Sequence, residues 1–524
     1  TDEHDSDEHG MATTSIKPGG LTFIQQLRED LPRGIEGKPH QPISAAWGDV
    51  WAKPEKFVYG KGTANGRRGV FLGYDGAGAD GHPVGFTDDR HVMTIAGSRA
   101  GKGRSLIIPN MLMYEGSVIA IDPKGELARI TSRARAEMGQ RVVVLDPFGA
   151  SLQGCKSDAQ REALVARLGA YNPLDELDPN SDTFVEDAMV IANSLIKDSH
   201  SSDRFWADSA KVLVHAIILF VFTLPESERN LCTVRDLLAL KGQRLTKAAE
   251  RLEMKPEAAL WQLMRNTDER FQGVVSSAGK TFGEMHDNGR SSVLSTARTE
   301  TAFLDSPKLR ETLVRSDFKL GELKRGAVTV YLCLPAGRML SHANWLRTVI
   351  DLSMYAFERD PTKVETPLLM VLDEFPVLGY MRTIEAAAGQ IAGFGVKLWT
   401  IVQDITQLQR LYRDSWETFV ANSGVVTAFA NSDASSLDYL SKQLGRITMD
   451  VIKDSEASAA ALRSGAKMTQ RQTRDDPLLA PHEIAMKFAR DTRRILVLPA
   501  GDAPLGLQRA FYDQDPNFAG LFDP

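Results

Sequence analysis

Apolar and polar positions follow a regular punctuation along most of this chain. Short runs rich in Val, Ile and Leu, bounded by turn residues, occupy 91–96, 117–121 and 141–145. The same kind of run returns at 327–334, 367–372, 396–402, 425–430 and 494–498. Several are apolar on both alternating faces, the pattern of strands buried between two layers of helices in a parallel sheet. Segments with helical patterning separate them, which predicts an α/β fold with a mostly parallel, doubly wound sheet. Residues 43–85 are rich in Gly and short apolar patches and read as an irregular lead-in with a few small strands.

Between 182 and 303 the alternation stops. Helical segments are predicted at 185–196, 205–223, 234–239, 245–252, 257–265 and 292–303, with almost no strand signal between them. This predicts an all-alpha insertion that splits the α/β domain in two. The expected organisation is a flexible N-terminal segment (1–42), a first part of the α/β domain (43–181), the insertion (182–306) and a second part of that domain (307–524). The polar stretch 454–476, rich in Ala, Ser, Gln and Arg, is expected to be a mobile loop.

Composition changes this picture little. The 524 residues are 43% hydrophobic and 25% charged with a net charge of −6, ordinary for a globular protein and unlike one coated in basic charge. Cys155, Cys232 and Cys333 stand singly, which excludes a Cys-x-x-Cys zinc site and fits a reducing cytosolic setting. The most apolar run, 212–224, is interrupted by His215 and is shorter than the roughly 20 residues a membrane-spanning helix needs. It reads as a core helix, with His215 a satisfied core histidine. The acidic first ten residues read as disordered and are neither a signal peptide nor an anchor.

The candidate chemistry begins at Ala96-Gly-Ser-Arg-Ala-Gly-Lys-Gly103, between a predicted strand and a helical run at 104–114. A strand, a glycine-rich turn and a helix N-terminus gather backbone N–H groups around a phosphate chain. Gly97, Ser98, Arg99, Ala100, Gly101, Lys102, Gly103 and Arg104 form the candidate nucleotide cradle, with Lys102 reaching the β/γ oxygens. Two positions depart from the usual pattern. Ala96 replaces the first glycine, and Gly103 replaces the Ser or Thr whose hydroxyl holds Mg²⁺. Ser105 lies two residues on, turned around the helix.

A second signal is Pro367-Leu-Leu-Met-Val-Leu-Asp-Glu374, an apolar strand delivering two carboxylates at its C-terminal end. Ligands of open α/β sheets bind at that edge. There Asp373 can hold Mg²⁺ and Glu374 can orient or deprotonate the attacking water. Gln403 ends the next apolar strand, where an amide can sense the γ-phosphate.

These residues carry a resemblance. The runs Gly97–Asn110, Ile121-Asp-Pro-Lys-Gly-Glu126, Leu145-Asp-Pro-Phe148, Asn172-Pro-Leu174, Asp373-Glu-Phe375 and Gln403 with Gln407-Leu408 are similar to coupling proteins of type IV secretion and conjugation, the TraG/TraD kind of P-loop ATPase. Weaker similarity starts near Trp47 and reaches the last strand. A loop ending Gly-Lys-Gly also occurs in that family. The resemblance implies a RecA-like domain interrupted by an all-alpha domain, and an ATPase using ATP and Mg²⁺. By the same resemblance Lys102 binds phosphate, Asp373 coordinates Mg²⁺, Glu374 activates water and Gln403 couples nucleotide state to the substrate. The implied partners are DNA, single- or double-stranded, relaxase or effector proteins, and inner-membrane components of the secretion system. The implied assembly is a homo-hexamer when active and a monomer in isolation, at the cytoplasmic face of a bacterial inner membrane. Family members usually carry N-terminal membrane helices and this sequence has none; Gly389-Gln390-Ile391 stands where an arginine finger is sought. A different class of function, a substrate-docking receptor with weak or no ATP hydrolysis, is the alternative.

Other features have plainer readings. Lys124 is evenly balanced between a nucleotide or subunit contact and a well-formed turn, and Asp146-Pro-Phe148 can simply end a strand. Arg463, Lys467, Arg471 and Arg474 suggest a DNA path, although a solvated polar loop is favoured. Trp206 and Trp261 are expected in the core.

Overall fold

In the computed structural model the described residues are 37–39, 45–60, 66–76, 81–197, 204–267, 269–454 and 469–524. The strands are β1 (Gly37–Pro39), β2 (Val70–Asp75), β3 (His82–Phe86), β4 (His91–Ala96), β5 (Val118–Asp122), β6 (Arg141–Leu145) and β7 (Val328–Cys333). They continue with β8 (Leu368–Leu372), β9 (Val396–Val402), β10 (Ser423–Phe429), β11 (Arg446–Asp454), β12 (Thr469–Pro477), β13 (Arg494–Pro499) and β14 (Leu505–Gln508).

Eleven of them form one sheet in the order β3-β2-β14-β13-β10-β4-β9-β8-β5-β7-β6. From β10 to β6 every neighbouring pair is parallel, and from β10 to β3 every pair is antiparallel. The central strands bury both faces, as their continuous apolar runs require. Ile119, Ile121, Met370 and Leu372 point into one core with the helices Phe184–Leu195, Arg204–Val221 and Ala336–Arg359. Val118, Ala120, Leu369 and Val371 point into the other, against the helices Ile108–Met113 and Glu126–Glu137. Two separate cores on alternate residues make this the expected mostly parallel, doubly wound α/β sheet.

The described secondary-structure elements between β6 and β7 are helices. Its central helix, Arg204–Val221, is the 212–224 apolar run, and Leu213, Val214, Ile217 and Ile218 are fully buried. His215 lies on that helix with its Nε2 2.8 Å from the Val185 carbonyl, the satisfied core histidine expected. Trp261 is buried and stacks on Phe282, and the half-buried Trp206 packs against the same core. Asn230 caps the helix Leu231–Leu238 by accepting from the Thr233 N–H. Among the described residues no helix is long and apolar enough to cross a membrane.

Two expectations are corrected. The stretch 454–476 is not simply a loop, because β12 pairs antiparallel with β11 from Arg446↔Pro477 to Asp454↔Thr469. Arg471 and Arg474 therefore belong to a strand, while Arg463 and Lys467 lie outside the described residues. A polar strand with no continuous apolar face has no periodic signal, and its register is the one set by pairing with β11. Within the supposedly flexible 1–42, Gly37–Pro39 pair with β11 at Met449–Val451, completing a small three-stranded sheet. The rest of that segment, with the acidic first ten residues, lies outside the described residues.

Candidate functional site

Three adjacent parallel strands set the site. β9 lies between β4 and β8, with Ile95 opposite Val402 and Leu372 opposite Thr400. The turn after Ala96, the amide Gln403 and the pair Asp373-Glu374 therefore emerge side by side at the C-terminal edge, where open α/β sheets bind ligands.

The turn after β4 is tightly wound. Arg99 (φ 55°) and Gly101 (φ 89°) take left-handed backbone conformations, and the Ala100 N–H donates to the Gly97 carbonyl at 3.2 Å. The expected helix at 104–114 begins differently: over Gly103–Ile107 the turn is one residue wider than an α-turn, and the Ile108 N–H reaches back to the Gly103 carbonyl. The regular helix then runs Ile108–Met113, with Pro109 near its start. Wide turns of this kind collect at functional sites. Ser105 is fully buried and its Oγ donates to the Gly101 carbonyl at 2.9 Å. It braces the turn and does not replace the hydroxyl missing at Gly103. The space around Gly103 is open, with nothing within 4 Å of where a Cβ would stand.

Lys102 projects to Glu374, its Nζ 3.8 Å from Oε1. Gln403 faces the same carboxylate, its Nε2 donating to Oε2 at 3.1 Å and lying 3.4 Å from Oε1. The Gln403 N–H is held by the Gln407 side chain at 2.9 Å, and Asp404 caps the helix Ile405–Tyr412 that carries Gln407. Burial pushes the Asp373 carboxyl up to about 6, against the pull of Lys102 and Lys124 and with Glu374 adding to the rise. The exposed Lys124 thus contributes positive potential to this edge. Its own turn is built by Asp122, which accepts from the N–H groups of Glu126 (3.0 Å) and Ala128 (2.9 Å). Asp146 makes a similar turn, accepting from the Ala150 and Ser151 N–H groups.

Backbone strain gathers here. Arg99, Glu374 and Ala430 follow β4, β8 and β10, and all three have positive φ near 54°. Such residues cost about 1–3 kcal/mol each and persist where the surroundings over-determine them. Gly97 is required by its neighbour: a Cβ there would lie 2.3 Å from the Ala430 carbonyl oxygen.

The other cradle positions differ in setting. Ser98 and Arg99 are exposed and Ala100 is buried. Arg104 turns away to Asp513 (2.6 Å) and lies over the Phe511 ring at 4.5 Å. One neighbour carried no sequence signal. Arg509, a lone arginine just after β14, is buried behind the turn and donates to the Ala100 carbonyl at 2.8 Å.

Among the described residues no group of three or more His, Cys, Asp or Glu side chains could enclose a metal. A hard cation here would have Asp373 as its protein oxygen ligand, with phosphate and water completing the shell, which is how Mg²⁺ usually sits beside a phosphate chain.

Known proteins share sequence and fold with this chain. Over residues 49–520 the chain matches the family described as type IV secretory system conjugative DNA transfer. It is 28% identical over 438 residues to the protein VirD4 of Agrobacterium fabrum, covering 83% of this chain and 60% of that one. It is 27% identical over 433 residues to the type IV secretion system-coupling protein VirD4 of Bartonella henselae, covering 80% and 62%. The chain thus spans about three-fifths of the length of these relatives. The fold resembles the bacterial conjugative coupling protein TrwBdeltaN70 in its unbound form, with a TM-score of 0.63 at 14% identity over 94% of this chain and 97% of that one. It also resembles the plasmid coupling protein TrwB in complex with ADP and Mg²⁺, with a TM-score of 0.61 at 14% identity over 93% and 98%. With its RecA-like sheet and inserted helices, the chain belongs to the coupling-protein family of type IV secretion and conjugative DNA transfer.

Proposed function

We propose that this chain is an ATP-driven coupling protein that recruits DNA, and protein substrates such as relaxases or effectors, and feeds them to a type IV secretion or conjugation channel. The observation that carries this reading is the meeting of Lys102, Glu374 and Gln403 at the ends of three adjacent parallel strands, with Asp373 beside them. TrwB, of similar fold, is known in complex with ADP and Mg²⁺ and with a non-hydrolysable ATP analogue, which supports the same ligands here.

In this reading the turn 97–104 wraps the phosphates and Lys102 leaves Glu374 to pair with their β/γ oxygens. Asp373 would hold Mg²⁺, directly or through water, and the ion would supply positive charge to the phosphoryl oxygens. Glu374, released from Lys102, orients the attacking water and accepts its proton as the γ-phosphoryl group of ATP passes to that water and ADP departs as the leaving group. Gln403 reports the change to the helix Ile405–Tyr412 through Gln407. Active sites shared between subunits of a homo-hexamer, held at the cytoplasmic face of the inner membrane, would turn such changes into movement of DNA.

ATP turnover, measured over a range of protein concentrations with and without single-stranded DNA, tests the reading. Turnover that rises with both and vanishes in Lys102→Ala is expected. ATP binding without turnover under every condition would leave a substrate-docking receptor, the reading that the missing hydroxyl at Gly103 favours.

A further inference from the structure

We propose that Arg509 is a positioning residue of the nucleotide site, holding the phosphate-binding turn from behind by its Ala100 carbonyl and placing an unneutralised positive charge beneath it. The inference rests on the nucleotide-binding reading above.

A turn that cradles phosphate must aim its N–H groups inward, so its carbonyls point outward and need partners. Most find them in ordinary helix and turn bonds. Ala100 instead has Arg509, whose Nη1 donates to its carbonyl at 2.8 Å while Nη2 donates to the Arg490 carbonyl at 2.7 Å. The guanidinium lies 4.3 Å over the ring of Phe429, the last residue of β10, and Nη1 is 3.9 Å from where a Cβ at Gly101 would stand. One side chain therefore joins the end of β14, the end of β10, the 490–492 turn and the phosphate turn.

The charge is the second half of the argument. Arg509 is 2% exposed, and no carboxylate pairs with it among the described residues. Its Nε, also buried, has no hydrogen-bond partner among the described residues. Other cations face it: Arg490 and Arg493 lie close enough to repel it, and Arg493 and Arg104 share the Phe511 ring with it. Arg104 is neutralised by Asp513, and Arg493 donates to the neutral Gln514 side chain, with no carboxylate paired to it among the described residues. A buried cation without a counter-ion is costly unless an anion approaches. The face of the turn opposite Arg509 is where the phosphate chain is expected, so binding would relieve the charge that folding leaves unpaired. Burial, with Arg493 and Arg490 adding to it, lowers the guanidinium to about 10, still charged at neutral pH.

Arg509→Met and Arg509→Lys test this through the dissociation constants of Mg-ATP, Mg-ADP and inorganic pyrophosphate, with the thermal midpoint of each variant read without ligand. Arg509→Met should weaken all three ligands about tenfold, pyrophosphate included, because the loss is at the phosphates. Arg509→Lys, which keeps the charge but can reach one carbonyl only, should fall between, about threefold weaker than wild type. In steady state KM should rise more than kcat falls. A folded Arg509→Met that is less heat-stable yet binds pyrophosphate as wild type does would overturn the proposal, leaving Arg509 a fold-holding residue only. Should Arg509→Met fail to fold, Arg509→Lys decides, and wild-type affinity in that variant overturns it equally. Wild-type protein that binds none of the three ligands would instead overturn the nucleotide reading itself.

Discussion

Gln403 and Glu374, 29 residues apart in sequence and on neighbouring strand ends, share a hydrogen bond of 3.1 Å from amide to carboxylate. Lys102 approaches the same carboxylate from the third strand. The proposed water-activating group is thus engaged by two side chains at once. A nucleotide that draws Lys102 onto its phosphates frees one side of Glu374 and leaves Gln403 as its remaining tether.

Removing either end of that hydrogen bond should therefore separate binding from turnover. Glu374→Gln keeps the shape and loses the base, so ATP affinity should change little while kcat falls by about a hundredfold or more. Gln403→Ala should lower kcat by about tenfold, with KM changing less than threefold. Stopped-flow binding beside steady-state turnover reads both. A Gln403→Ala variant that loses affinity and keeps kcat would place the amide on the phosphate chain and not on Glu374.

Gly97 and Gly103, at the two ends of the turn, make opposite predictions. A Cβ at Gly97 meets the Ala430 carbonyl oxygen at 2.3 Å, and that oxygen is backbone. Gly97→Ala should cost about 1–3 kcal/mol and abolish nucleotide binding, because only a shift of β4 against β10 can relieve the clash. At Gly103 nothing lies within 4 Å of a new Cβ. Gly103→Thr should fold as wild type does and restore the hydroxyl that commonly holds Mg²⁺ in such turns. The Mg²⁺ concentration for half-maximal turnover should then fall, by roughly threefold. A rise instead would mean that the wide first turn over Gly103–Ile107 aims this position away from the metal.

Much of this was legible in the sequence where apolar periodicity carried it. Strands β4, β6 and β9 coincide with the apolar runs read there, because Val, Ile, Leu and other apolar residues dominate both faces even though Thr94, Lys397 and Thr400 are buried among them. The Gly-Lys-Gly turn and the Asp-Glu strand end were visible for a related reason, since their residue types are dictated by backbone φ and by charge. Two kinds of feature left no trace. β12 pairs with β11, yet the polar residues of 469–477 look like a loop. Arg509 is distant in sequence from the turn it braces, and nothing around Gln508-Arg-Ala-Phe511 distinguishes it from a surface arginine. The order β4-β9-β8, which inserts the Gln403 strand between the other two, is a property of topology that local patterning does not encode.

The Mg²⁺ assignment makes its own prediction. If Asp373 is the cation's protein ligand, Asp373→Asn should leave metal-free nucleotide binding close to wild type while removing most of the gain in affinity that Mg²⁺ confers. Titrating ADP with and without Mg²⁺ by calorimetry reads the difference directly. Equal Mg²⁺ dependence in wild type and variant would move the ligand role elsewhere.

The helical insertion carries a pH signature of a different origin. Asp305 accepts hydrogen bonds from Arg235 and, at 3.0 Å, from Lys241, and Arg235 also donates to the Arg298 carbonyl at 2.8 Å. The Arg235 bond lowers the Asp305 carboxyl to about 2, against partial burial and with help from Lys241. A folded value below the unfolded one means that the ionised form stabilises the fold above about pH 4, and that this contribution is lost as the pH falls toward about 2. The Asp305 side chain is 38% exposed, so water screens the pair and about 1 kcal/mol is the expected size. Asp305→Asn should be less stable than wild type by that amount at pH 7, and the difference should shrink from pH 4 downward until the two coincide near pH 2. Denaturation midpoints followed by circular dichroism across that range give the comparison, with all other titrating groups common to both proteins. A gap that stays constant with pH would show that the Asp305 hydrogen bonds, and not its charge, hold this end of the insertion together.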